Sequence, residues 1–146
     1  MKRITLALTI ALAGLSFASC KKYGCTDPDA INFEDKVRSD NLLCEYEGSI
    51  LFWYDEIVRD SLLQVLGPIE SLEYYVEYVR ADSLEFDNEL VEPPVCGQPE
   101  VATYTSTMKT GFQRWVRYQI YTNFDALIYD SVVQLQANQC MKIRLD

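Results

Sequence analysis

The chain has 146 residues, 22 acids against 13 Lys and Arg, and no histidine, for a formal net charge of −9. That balance disfavours nucleic acid, and none is expected as a partner, because such binding rests on Lys and Arg neutralising phosphates. Without histidine the common Ser/His/Asp and Cys/His nucleophilic designs are absent, and the six glycines form no phosphate-cradling loop. No catalytic residue and no cofactor is expected, and carboxylate pairs drawn from so many acids mean nothing without geometry.

In chain order, the first element is an export signal. Lys2 and Arg3 precede an apolar run from Ile4 to Ser19 with no acid in it, the layout of a secretory leader. The run is about 16 residues and contains Thr5, Thr9, Gly14 and Ser16, short of the roughly 20 that span a bilayer.

Phe17-Ala18-Ser19-Cys20 resembles the lipobox of bacterial lipoproteins, in which small residues before the cysteine suit a signal peptidase. The resemblance implies removal of residues 1–19, diacylglycerol and palmitate-type acylation at Cys20, and residues 20–22 as a membrane anchor. Several acyl chains hold firmly where one is marginal. Lys21 and Lys22 fit the sorting pattern of outer-membrane lipoproteins, so the expected address is the bacterial cell envelope.

With Cys20 lipidated, Cys25, Cys44, Cys96 and Cys140 remain, and an even remainder in an exported chain reads as two disulfides. Three pairings exist. Cys25 with Cys44 and Cys96 with Cys140 is favoured, because each pair then lies inside one compositional segment. Zinc is disfavoured, since there is no CxxC and no histidine.

Residues 23–46 form an acidic unit too poor in apolar side chains to build a core. A disulfide closing about 20 residues contributes roughly 3 kcal/mol in the chain-entropy model, the usual substitute. Gly24, Cys25, Thr26, Asp27, Pro28, Ala30, Asn32, Cys44 and Tyr46 resemble the GCTDPxAxNY…CxY cysteine module of exported proteins from Bacteroidetes-type bacteria. Where that family has Asp-Asp-Gly-Ser, this chain has Asp40-Asn41-Leu42-Leu43. Asp27, Asp29, Asn32, Asp35, Asp40 and Asn41 are hard oxygen donors of the kind calcium takes. The stronger reading is that they cap turns, so no metal is expected.

From Glu47 onward the pattern is that of strands. Ile50 to Tyr54 is a continuous apolar run, as in a strand buried on both faces. Alternation places Leu72, Tyr74, Val76 and Tyr78 on one face, then Phe112, Val116, Tyr118 and Ile120, then Leu127, Tyr129, Val133 and Leu135. Shorter strands are expected at Leu62–Leu66, Val101–Met108 and Met141–Leu145, with a helix over Ile57–Leu66 as the alternative, limited by Pro68. Turn signals fall at Gly67-Pro68, Pro93-Pro94, Lys109-Thr110-Gly111, Asn123 and Ala137-Asn138-Gln139. Gly48 reads as a hinge between the module and the domain.

These seven strands predict an all-β, immunoglobulin-like antiparallel β-sandwich over residues 47–146, preceded by the disulfide-closed loop module. Phe52-Trp53, Pro94-Val95-Cys96-Gly97 and Cys140-Met141-Lys142-Ile143-Arg144-Leu145 resemble small sandwich domains of similar lipoproteins. That resemblance carries no activity with it.

Tyr75, Trp115 and Tyr121 fall on the opposite side of their strands from the apolar sets and are the ligand-binding candidates. Their coverage by other parts of the fold is the favoured alternative, because aromatics are common on strands for packing alone. The expected function is non-enzymatic: an envelope protein presenting its sandwich for protein contact or a structural role. Carbohydrate binding through exposed Tyr and Trp is the alternative. A glycan platform needs coplanar rings beside amides and acids, whereas a protein contact needs a mixed apolar patch.

Overall fold

A computed structural model describes residues 22–109 and 113–146. The leader, Cys20, Lys21, Thr110, Gly111 and Phe112 lie outside the described residues. Strands β1 (Tyr23–Gly24) and β2 (Arg38–Ser39) pair in parallel inside the cysteine module. The rest of the chain runs β3 (Tyr46–Trp53), α1 (Glu56–Leu66), β4 (Ser71–Val76), β5 (Val79–Glu85), β6 (Ala102–Met108), β7 (Gln113–Thr122), β8 (Leu127–Gln136) and β9 (Cys140–Arg144).

Two sheets, ordered β6-β3-β9 and β5-β4-β7-β8, form an all-β sandwich. Three strands against four is the complement of a constant-type immunoglobulin sandwich. Its ladders are antiparallel except β3 with β9, which is parallel. Inward side chains from alternate positions meet between the layers: Ile50 and Phe52 of β3, Leu72, Tyr74 and Val76 of β4, and Val116, Tyr118 and Ile120 of β7 are all buried. The Phe52 ring lies 5.4 Å from Tyr74 and 5.1 Å from Tyr118, so one side chain joins the two sheets.

Leu51 points the other way along β3 and is still only 1% exposed. Cys140 stands opposite Ser49 and so shares Leu51's face. It is bonded to Cys96, whose neighbour Pro94 is fully buried. The chain between β5 and β6 is thereby strapped to the outer side of the three-stranded sheet, which accounts for the unbroken apolar run at positions 50–52.

Four sequence expectations need correction. Residues 62–66 are helix. Asp55 accepts from the Val58 N–H at 3.1 Å as N-cap, and Gly67, at φ 84°, closes the C-terminus by donating to the Leu63 carbonyl. Tyr78 leaves the apolar face of β4, because the strand ends at Val76 and turns through Glu77-Tyr78 into β5, which is the seventh strand. Leu127 is 49% exposed: Ile120 pairs with Tyr129 but Tyr121 with Leu127, so Ile128 is an extra residue and Leu127 swings to the outer face. Gly48 is a buried strand residue paired with Ser106, and a Cβ there would lie 2.5 Å from the Gln136 carbonyl oxygen. Close backbone approach, not hinge freedom, explains that glycine.

The module is held by the Cys25–Cys44 disulfide, with a Cα–Cα distance of 4.7 Å. Cys25, Ala30 and Cys44 form a small buried cluster with Tyr46, the first residue of β3, against Ala137 from the β8–β9 turn. Phe33, the module's largest apolar side chain, is 47% exposed and lies outside this cluster. Among the described residues no helix is long and apolar enough to cross a membrane.

Candidate functional site: an aromatic corner and an apolar groove

Outward positions of β4 and β7 put Tyr75, Arg117, Gln119 and Tyr121 on one face of the four-stranded sheet, with Tyr75 diagonal to Tyr121 across the ladder. Trp115 shares this face and is 66% exposed, so coverage by a further layer is excluded there. It stands six residues from Tyr121, about 20 Å along the strand, and takes no part in their contact. Tyr75 and Tyr121 are half-buried against each other, with ring centroids 5.4 Å apart and planes at 80°. The rings form an inside corner and not a flat platform. The Tyr75 hydroxyl donates to Glu73 at 3.0 Å, and that bond is the main reason its pKa is raised.

The corner's third wall comes from a strained turn. Glu77 and Tyr78 connect β4 to β5 with φ of 52° and 64°, a two-residue type I′ geometry that ordinarily uses Asn-Gly. Bulky residues persist in this region only where their surroundings over-determine them, and Arg117 of β7 does so here. Its backbone N–H donates to Glu77 Oε1 at 2.8 Å, and its carbonyl accepts from the Glu77 N–H at 2.9 Å. Its guanidinium stacks over the Tyr78 ring, 5.4 Å from the centroid, while Nη1 donates to the Tyr78 hydroxyl at 2.7 Å.

Arg117 Nε also donates to Asp130 Oδ1 at 2.7 Å, and Nη2 to Oδ2. This fork holds the Asp130 carboxyl below its usual range and raises the guanidinium. Gln119 Nε2 donates to the same carboxylate at 3.2 Å. Tyr75, Tyr78, Gln119, Tyr121 and Asp125 together line a shallow cavity of about 290 Å³. Sequence alternation found Tyr75 and Tyr121. It missed Tyr78, because Glu-Tyr gives no turn signal.

A second surface lies on the sandwich's flank. On the β5–β6 side a bond links the two sheets, the Thr103 N–H donating to Asp82 Oδ2 at 3.3 Å. On the opposite side β8 pairs, among the described residues, only with β7 and is an edge strand. Beside its start, α1 contributes Ile57, Leu62, Val65 and Leu66, and β8 contributes Leu127 and Ile128, to an apolar groove of about 580 Å³. Ile57 is 73% and Val65 79% exposed. Arg144 stands at the groove's rim, bonded through Nε to Asp55 at 3.1 Å. That ion pair is the largest cause holding the Asp55 carboxyl below its usual range.

The calcium candidates are not gathered. Asp27 accepts from the Tyr46 hydroxyl and the Asp29 N–H, and Asp40 accepts from the Leu42 N–H. Asn32 spans the loop, donating to the Leu43 carbonyl and accepting from the Glu45 N–H. Among the described residues no three acids or cysteines converge on one point. No protein-family model, no curated protein and no solved structure matches the chain.

Proposed function

We propose that the chain is an exported lipoprotein, anchored at Cys20, whose sandwich works by protein contact and not by catalysis. The leader, the lipobox and the two disulfides support an oxidising envelope location. The observation that carries the contact reading is the apolar groove at the open flank, where Ile57 and Val65 face solvent next to an unpaired strand edge. From Tyr129 to Gln136 that edge is regular, free of Pro, Gly and Lys, and its one charge, Asp130, is engaged by Arg117. Such an edge is a template for strand addition. The occupant is an extended apolar segment of another envelope protein, which pairs with β8 and sets its side chains in the groove. The carbohydrate reading asks for coplanar rings, and the Tyr75–Tyr121 pair does not present them.

A photo-cross-linking residue placed at Val65 or Val132, in cells that make the protein, tests this reading. A discrete protein adduct at both positions is expected, and none at Val79, which is equally solvent-exposed but lies on the far edge strand β5. Equal adducts at Val79, or none at Val65 and Val132, would sink it.

A further inference from the structure

We propose that the corner walled by Tyr75, Tyr78 and Tyr121, with Asp125 at its side, is a binding site for a methylated ammonium group. The Tyr75 and Tyr121 rings stand nearly perpendicular and both line the cavity, so the angle between them offers a compact group two aromatic walls, whereas a sugar ring stacks on a flat surface. The aromatic ring quadrupole attracts positive charge at its face, and a quaternary ammonium, being weakly hydrated, gives up little solvation on entering. Tyr78 completes the enclosure from its strained turn, held in place by Arg117.

The local charge points the same way. Arg117 is committed to Asp130, Arg80 lies 3.4 Å from Glu73, and Arg114 lies 3.7 Å from Glu77. Among the described residues the remaining carboxylate, Asp125, has no hydrogen-bonded or ion-paired side-chain partner, and it lines the cavity. An anion would meet that carboxylate with every nearby arginine already engaged, while a cation would neutralise it. Gln119 Oε1 and the Tyr121 hydroxyl, also without hydrogen-bond partners among the described residues, are placed to take a hydroxyl beside the ammonium. The cavity, about 290 Å³, is at the small end of ligand sites and suits one such group.

The test is titration of the purified full chain, in a non-ionic detergent, with choline chloride, phosphocholine and 3,3-dimethylbutan-1-ol, the neutral carbon isostere of choline. Saturable choline binding is expected, with the neutral isostere about tenfold weaker or worse. Asp125→Asn keeps the turn, because Asn tolerates its φ of 62°. It should weaken choline about tenfold, as should Tyr121→Leu, while Trp115→Leu changes nothing. Tighter binding of phosphocholine than of choline would place the source in a lipid headgroup, and the reverse in a free methylated amine; both carry the same ammonium chemistry. The proposal is overturned if choline does not bind, if the isostere binds equally, if methyl pyranosides bind in its place, or if Asp125→Asn leaves the affinity unchanged. Cross-linking at Val65 reads the groove alone, so either proposal can fail without the other.

Discussion

The Tyr46 hydroxyl donates to Asp27 Oδ2 at 2.6 Å, tying the first residue of the sandwich to the cysteine module. This bond, and after it the Asp29 N–H, hold the Asp27 carboxyl below its usual range, and the same bond raises Tyr46. A carboxylate depressed in the folded state adds stability above its unfolded pKa of about 3.9, and that stability is lost as pH falls through the lower folded value. A tyrosine raised in the folded state adds stability below about 10 that is lost as pH rises through its folded value. The contact therefore holds between those limits. The difference in thermal midpoint between the wild type and Asp27→Asn should be full near neutrality and close towards zero well below pH 3.9. A difference that is flat with pH would show that the bond does not couple module to sandwich.

Gly48 sits where β3 passes the end of β8. An added methyl would meet the Gln136 carbonyl at 2.5 Å and the Met108 methyl at 2.9 Å, and the first of these is backbone that cannot rotate away. Gly48→Ala should cost about 1–3 kcal/mol, the range for overpacking a filled core. Chemical denaturation gives the value. An unchanged midpoint would mean that β3 and β8 separate more easily than their packing implies.

Tyr74 is 1% exposed, and its hydroxyl has no hydrogen-bond partner among the described residues. Burial pushes its pKa up, and the unpaired hydroxyl carries a desolvation cost. Tyr74→Phe keeps the ring against Phe52 and should raise stability by about 1 kcal/mol in the same denaturation experiment. A loss of similar size would reveal a partner for the hydroxyl.

Period-two alternation made the inward faces of β4 and β7 legible, because each packs one face on the core and leaves the other open. Cysteine parity and segment composition gave both disulfides. The helix was ambiguous because Ile57–Leu66 is apolar enough for either reading, and Asp55 and Gly67 as caps are what decide it. β5 was hidden for two physical reasons. Its turn uses Glu77-Tyr78 where Asn-Gly is usual, and its alternation does not last: Leu84 is out of phase with Val79 and Ala81, because this edge strand is bulged at Ala81, opposite Tyr74 and Tyr75. The aromatic corner was half legible, since a turn residue reaching back over the sheet has no periodic signature. The groove was invisible, because it joins α1 to a strand more than 60 residues away in sequence.

Amide hydrogen exchange of the protein in its own membranes, set against the purified chain, tests the contact account most directly. Backbone N–H groups on the open edge of β8 and those of α1 should exchange more slowly in the membrane, while the β5 edge exchanges alike in both. Equal exchange of β8 and α1 in the two states would contradict a strand-adding partner at this flank.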